Sequence, residues 1–388
     1  MKVLSVAWNV FGQEDDRLYQ LRNGGSIMIA DICEYIGRKE DSYLFLGDRK
    51  ISEQDYGHIK ICSNEKWLPE ERTKDNISDW QVGLVKSFKE QVNYIKPDYV
   101  LVHGAGEFAY NIIKYCMDIG QSIFFVCHLY IGNSGRFDDK CTPSQWENRV
   151  CSIPDLKIIF VGNGMKKRFI KEHRDVSEEN LFVVVNGTKI KYKQSKESSL
   201  LYLKEEGKKI LMCSGSLQPR KNQLQLVEAL KYVDKKIRNQ IKIVFVGTDL
   251  TGGDIPSQIK AEAKKVGMEN SVVYIGSLPA ENMGDIYSIA DGLAMTSFIE
   301  GVSLVALEAL VYGIPIIMFK ENETGADVFD EKAVIMANSY SNQDLAKTIE
   351  MWFGTVWDGD YIKDYAKQFS MERVSEDYVR LLSAQGKA

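Results

Sequence analysis

Glu300 and Glu308 are the acids whose setting has chemical meaning. They lie in Ser297-Phe-Ile-Glu-Gly-Val-Ser-Leu-Val-Ala-Leu-Glu308, which runs on into Ala309-Leu-Val-Tyr-Gly-Ile-Pro315. A strand is predicted to end near Thr296, a loop to carry Glu300, and a helix to run from about Val302 to the stop at Gly313-Ile-Pro315. The free N–H groups at such a helix start suit a phosphate. A fully helical interval would part the two acids by ~12 Å. That exceeds the ~5–9.5 Å of a carboxylate pair flanking one glycosidic bond. The spacing therefore favours holding two ends of an elongated ligand. Glu300 read simply as an acid near a helix start would favour the macrodipole, and Glu308 read simply would be a solvated helix position. Against the second reading, Leu304–Val311 is so apolar that a carboxylate within it needs a partner or a ligand.

A second segment is Ile210-Leu-Met-Cys-Ser-Gly-Ser-Leu-Gln-Pro-Arg-Lys-Asn222. A buried strand enters a glycine-containing loop, and Arg220 and Lys221 are predicted to start the next helix. Cations there oppose the macrodipole, so an anion near them is a better explanation than local helix stability; two solvated surface charges are the plain alternative. Asn23-Gly-Gly25 precedes a predicted helix over Ser26–Ile36. Gly24 and Gly25 would let backbone approach a ligand, or merely turn the chain. His128, in Phe124-Phe-Val-Cys-His-Leu-Tyr130, falls at the carboxyl end of a strand, where ligands collect in open α/β sheets. His103 ends a neighbouring strand and is given no role. Two motifs are set aside. Gly104-Ala-Gly-Glu-Phe-Ala109 matches a dinucleotide fingerprint, but no acid ends the next strand. Asp358-Gly-Asp360 spells the D-x-D of metal-dependent sugar transferases, but reads as a turn between helices.

These residues need a scaffold, and the rest of the chain describes it. Its 388 residues, 44% hydrophobic and 27% charged, are enough for two cores. Six apolar runs in the first half (KVLSVAW, SYLFLGD, YVLVHG, SIFFVCHLY, KIIFVGN, LFVVVNG) and six in the second (KKILMCSGS, IKIVFVGTD, SVVYIGS, DGLAMTS, IPIIMFK, AVIMAN) alternate with helical patterns such as Asn222–Val233. Continuous apolar runs are strands buried on both faces, hence parallel sheets covered by helices. The expected fold is α/β, with two doubly wound, Rossmann-like domains facing each other across a cleft. Residues 1–188 form the first, 209–369 the second, and the polar stretch 189–208 links them.

The net charge of −5 gives no basic excess for nucleic acid. Seven cysteines without a CxxC fit reduced thiols in a cytoplasmic protein. The amino-terminal apolar run ends in acids and reads as a strand, not a signal peptide. No apolar stretch reaches the ~18 residues of a membrane span, so membrane contact would be peripheral, at the inner face. The basic run Lys166–Arg174 could touch such a surface, but reads more simply as a solvated helix face.

The Glu-x7-Glu segment with its Gly-Ile-Pro ending resembles the donor-site signature of retaining family 4 glycosyltransferases of the GT-B fold. Residues 210–222 resemble that family's strand-loop-lysine motif, and Val185-Asn-Gly187 the end of its N-terminal domain. Lys96-Pro-Asp-Tyr-Val-Leu-Val-His103 and Val126-Cys-His128 resemble its paired strands. The resemblance implies a hexosyltransferase, independent of metal and of any cofactor, taking a nucleotide diphosphate sugar, most frequently a UDP-sugar in that family. The acceptor would be a glycan, a lipid-linked sugar or a protein. It implies that Lys221, with Arg220, contacts the diphosphate; that Glu300 binds hydroxyls of the transferred sugar; and that backbone from Gly301 through Val302 and Ser303 to Leu304 cradles sugar and phosphate. Glu308 would hold the ribose, His128 would approach the sugar from the first domain, and Gly24-Gly25 would lie near the diphosphate. It also implies that a terminal helix, about 370–388, packs back on the first domain. One departure is Ser216, where many members carry Arg after the glycine. The rival readings are a nucleotide-sugar 2-epimerase or hydrolase of the same fold, and a non-catalytic subunit. The loop Tyr130–Cys151, with Trp146 and Arg149, is a candidate wall of an acceptor site.

Overall fold

The computed structural model describes residues 1–8, 11–14, 17–21, 24–73, 75–132, 142–174, 176–189 and 200–386. Asn23, residues 190–199 of the expected linker and 133–141 of the expected acceptor loop lie outside them. The chain divides into two compact units, Met1–Gly187 with Met371–Ala388, and Thr188–Ser370.

The first unit contains β1 (Lys2–Ala7), the antiparallel pair β2 (Phe11–Glu14) and β3 (Arg17–Leu21), β4 (Asp41–Leu46), β5 (Gln54–Tyr56), β6 (Ile59–Ile61), β7 (Tyr99–His103), β8 (Ile123–Cys127), β9 (Lys157–Phe160) and β10 (Leu181–Val183). Its main sheet has the order β10-β9-β8-β7-β1-β4-β6-β5, parallel except for β5 against β6. Every residue of β7 and β8 is buried, which is why these runs are apolar throughout instead of alternating. Helix Ile77–Ile95 spaces Trp80, Leu84, Phe88, Val92 and Ile95 at three and four, giving one buried stripe against Val100 and Val102. Its end is set by Lys96 in the left-handed region, φ 50°, ahead of Pro97. The terminal helix Met371–Gln385 packs against helix Gly24–Gly37 and adds Val374, Tyr378 and Leu382 to the buried set.

The second unit contains β11 (Lys209–Ser214), β12 (Ile241–Val246), β13 (Val272–Tyr274), β14 (Gly292–Met295), β15 (Ile316–Phe319) and β16 (Val334–Ala337), all parallel, in the order β13-β12-β11-β14-β15-β16. This is the 3-2-1-4-5-6 order of the Rossmann fold, with its switch point between β11 and β14. Residues 200–208, expected to be linker, belong to this unit. Leu200 and Leu203 are buried, and the buried Lys242 of β12 donates to the Leu203 carbonyl at 3.0 Å and pairs with Glu205. Only Leu200 and Leu203 of this segment turn inward while most of its other residues stay exposed, which is why no regular apolar spacing marks it. Among the described residues no helix is long and apolar enough to cross a membrane.

Asp358-Gly-Asp360 begins a helix. The Asp358 carboxylate is its N-cap, accepting from the N–H groups of Asp360 and Tyr361 at 3.1 and 3.0 Å. Asp358→Ala should therefore cost about 1 kcal/mol in urea denaturation, the worth of an N-cap, and leave any catalytic rate unchanged. A rate loss without a stability loss would return this motif to the active-site candidates.

Candidate functional site

The loop after β11 and the loop after β14 meet at the switch point of the second sheet, and the sequence-predicted charges meet there with them. Leaving β11, the backbone passes Gly215 at φ 138° and makes a tight turn over Pro219–Lys221. Asn222 follows in the left-handed region, φ 53°, before helix Gln223–Ala229 begins. Arg220 and Lys221 thus precede the helix and are separated from it by Asn222; they do not start it, as had been expected. A β-carbon on Gly215 would lie 3.6 Å from Lys221 Cε, so the lysine stem lies over the glycine. A β-carbon on Gly247, at the end of β12, would come within 2.0 Å of the Gly215 carbonyl oxygen; only glycine lets the two loops approach this closely.

The second loop is laced to the first. Phe298 N–H donates to the Arg220 carbonyl at 3.0 Å, Thr296 Oγ1 to the Lys221 carbonyl at 3.0 Å, and Asn222 Nδ2 to the Thr296 carbonyl at 3.2 Å. Arg220 Nη1 donates to the Ile299 carbonyl at 2.7 Å and lies 3.3 Å from Glu300 Oε2. Lys221 Nζ donates to Glu300 Oε1. Glu300 is buried. Burial alone would raise its carboxyl pKa, but the charges of Lys221 and Arg220 override that and hold it below the usual range. The anion inferred from the two cations is thus, in this structure, the Glu300 carboxylate itself. Ser216 does not extend the cluster: its hydroxyl accepts from Gln218 Nε2 at 2.7 Å.

Helix Leu304–Val311 follows, starting two residues later than the sequence indicated. Gly301 and Val302 lie in the buried loop before it. Ser303 is its N-cap, without a side-chain capping bond, and Leu304 is its first residue. Because residues 300–303 are not helical, the ~12 Å separation computed for an unbroken helix does not apply. Glu308 is buried, not solvated, and its Oε2 accepts from Tyr287 Oη at 2.6 Å. Tyr287 in turn stacks on Tyr312, ring centroids 5.2 Å apart. The apolar helix did demand a partner for this carboxylate, and a tyrosine supplies one. A hollow of about 750 Å³ lined by Tyr287, Tyr312, Lys209, Asp291 and Pro315 opens at the amino ends of β11, β14 and β15. Doubly wound sheets bind ligands at the other end.

In the first unit, Gly24 and Gly25 form the first turn of helix Gly24–Gly37, which therefore starts two residues before the predicted Ser26. His128 follows β8 directly, and His103 ends β7. His103 pairs in register with Val126, so residue 128 leaves the same face of the sheet as residue 103. The rings stack at 5.2 Å, and His103 Nδ1 lies 2.9 Å from His128 Nε2. Burial lowers both imidazoles, His128 to about 4 and His103 well below its ordinary value, so both are neutral near pH 7. His103 carries no motif of its own; the signal for it is the register of two adjacent buried strands, one ending in histidine and the other followed directly by one. Among the described residues no three His, Cys, Asp or Glu side chains cluster as metal ligands.

Residues 193–368 match the model of the family described as glycosyl transferases group 1. Curated relatives include a D-inositol 3-phosphate glycosyltransferase of Corynebacterium aurimucosum, 25% identical over 59% of this chain and 58% of that protein. Another is a GDP-mannose-dependent phosphatidylinositol monomannoside mannosyltransferase of Mycolicibacterium smegmatis, 27% identical over 32% of this chain and 33% of that protein. The chain thus spans between a third and three fifths of the length of these relatives. Among solved structures, sucrose-phosphate synthase of Thermosynechococcus elongatus matches over 100% of both chains with TM-score 0.75 at 15% identity. Anabaena HepE in complex with UDP matches over 99% of this chain and 100% of its own, TM-score 0.71, 17% identity. The chain therefore has the GT-B fold, with two Rossmann-like domains, and its residues 193–368 are similar to the glycosyl transferases group 1 family.

Proposed function

We propose that this protein is a retaining, metal-independent glycosyltransferase that moves a hexose-type sugar from a nucleoside diphosphate sugar to a hydroxyl of a glycan, lipid-linked or protein acceptor. The observation that carries the reading is the convergence of Arg220 and Lys221 on Glu300 at the switch point of a 3-2-1-4-5-6 sheet, beside the N-terminus of helix Leu304–Val311. In the reaction, the bond from the anomeric carbon to the β-phosphate oxygen breaks, and the acceptor oxygen bonds to that carbon on the same face. The acceptor proton passes to the departing phosphate oxygen. The charge that develops on the diphosphate is met by Lys221, Arg220 and the N–H groups from Gly301 to Leu304, fixed donors placed where charge appears. Glu300 turns from its two cations to the sugar hydroxyls, and Glu308 takes the ribose. His128 meets the transferred sugar, and Gly24-Gly25 lies near the diphosphate. Both acids are held by named partners, Glu300 by the cations and Glu308 by Tyr287, so neither is presented as a covalent nucleophile. We assign the reaction to the cytoplasm, with any contact to the inner membrane face peripheral.

Solved neighbours that hold UDP and UDP-glucose support a uridine donor, and the GDP-mannose-dependent relative names the competitor. Calorimetric titration with UDP and GDP separates them; tighter binding of GDP overturns the uridine assignment. Transfer from a labelled donor is expected to survive EDTA. Loss of turnover in EDTA, restored by Mn²⁺ or Mg²⁺, overturns the metal-free mechanism. Release of a free 2-epimer from the donor alone would move the protein to the epimerases.

A further inference from the structure

His103 and His128 are joined at 2.9 Å through His103 Nδ1 and His128 Nε2, and one of these two nitrogens must carry the hydrogen. The remaining ring nitrogens, His103 Nε2 and His128 Nδ1, are both buried without a hydrogen-bond partner. Two neutral imidazoles hold two N–H hydrogens between them. One lies in the shared bond, so the other sits on only one of the outer nitrogens. If His103 Nε2 bears it, His128 is an Nε2–H tautomer with a bare Nδ1; if His128 Nδ1 bears it, both assignments reverse.

The surroundings distinguish these arrangements. His103 lines a pocket of about 250 Å³ at the carboxyl ends of β1 and β7, together with Trp8, Gln81 and the turn at Gly104. Gln81 Oε1 is buried without a donor and lines the same pocket. A buried N–H left without an acceptor costs more than a bare lone pair, and the acceptor is on the His103 side. We propose that His103 is a positioning residue for His128. It accepts from His128 Nε2–H and turns its own Nε2–H into the pocket, so that His128 presents a bare Nδ1 lone pair able to accept from a hydroxyl. This rests on the reading that His128 meets the transferred sugar, and it gives that contact a direction: the sugar hydroxyl donates. A hydroxyl or water placed between His103 Nε2 and Gln81 Oε1 would lock the same arrangement.

The chain has 4 histidines, so the imidazole signals of ¹⁵N-histidine-labelled protein are assignable by single replacements. Long-range ¹H–¹⁵N spectra near pH 7 are expected to show both His103 and His128 as fixed Nε2–H tautomers. In His103→Phe the fixed pattern of His128 is expected to be lost to tautomer averaging. In His103→Asn, whose side-chain oxygen accepts from His128 Nε2–H, the pattern should be retained. An Nδ1–H pattern or averaged signals on His128 in the unmodified protein overturn the proposal, as does a His128 spectrum unchanged in His103→Phe. The unmodified protein decides the tautomer even if a variant fails to fold. The spectra do not depend on turnover: a fixed Nε2–H pattern in a chain that transfers no sugar would overturn the proposed activity and leave the histidine pair standing.

Discussion

Lys221→Ala is expected to lower kcat by about 10²–10³-fold, the loss found when one preorganised donor to a developing anion is removed. Affinity for an uncharged acceptor should change little, because the lysine acts on charge that appears only as the diphosphate departs. The same replacement should alter the acid sensitivity of the fold. In the intact protein the Glu300 carboxyl is held below its usual range by Lys221 and Arg220 against the opposing effect of burial. A folded-state pKa depressed below the unfolded value contributes stability above the unfolded pKa of ~4.3 and loses it as pH falls through the folded pKa. Without Lys221 the burial effect is opposed only by Arg220 and the Ser297 hydrogen bond, so the folded pKa rises and the acid-side loss of stability begins at a higher pH. Urea midpoints measured as a function of pH read this shift, and transfer kinetics read the other effect. A mutant that kept its kcat and lost acceptor binding would place Lys221 in a different site.

Glu308 carries the second large effect. If its carboxylate binds ribose, Glu308→Ala should weaken UDP binding by the worth of a charge-assisted hydrogen bond, about 1.5–3 kcal/mol, or roughly tenfold to 150-fold in Kd. The alanine also removes the carboxylate that accepts from the buried Tyr287 hydroxyl at 2.6 Å. Some loss of stability is therefore expected whatever the role of the acid. Glu308→Gln separates the two effects. The amide oxygen still accepts from Tyr287, while the charge is gone, so stability should be largely kept and UDP affinity still lost. Unchanged UDP affinity in both folded variants would make Glu308 a structural partner of Tyr287 and nothing more.

Strands were legible wherever they are buried on both faces, because burial on two sides leaves a sequence no room for polar residues. Both β8 and β15 are of this kind, and each is buried at every residue. By contrast β5 and β6, three residues each, were not legible: Gln54-Asp-Tyr56 has no apolar run, and Lys60 interrupts Ile59 and Ile61. Their strand character comes from pairing at a sheet edge, a tertiary fact. The site was legible in its charges but not in how those charges are used. Arg220 and Lys221 announced an anion, yet nothing in the local sequence said that the anion is Glu300, 79 residues beyond Lys221. Glu308 announced a partner without naming Tyr287. His103 was passed over because its meaning depends on strand register, which apolar runs do not specify when both faces are buried.

The grouping of Met371–Gln385 with the first unit has a consequence for the order in which this protein comes into being. Residues 188–370 form a unit uninterrupted in sequence, whereas the unit before it is closed by the last helix of the chain. At ~5–20 residues per second a ribosome needs about 10–40 s to make the intervening stretch. Throughout that interval helix Gly24–Gly37 is without the neighbour that finally packs against it. The unit translated second is thus the first whose residues are all present. A chain stopped at Ser370 would hold every residue of the second unit and lack the helix that packs against Gly24–Gly37.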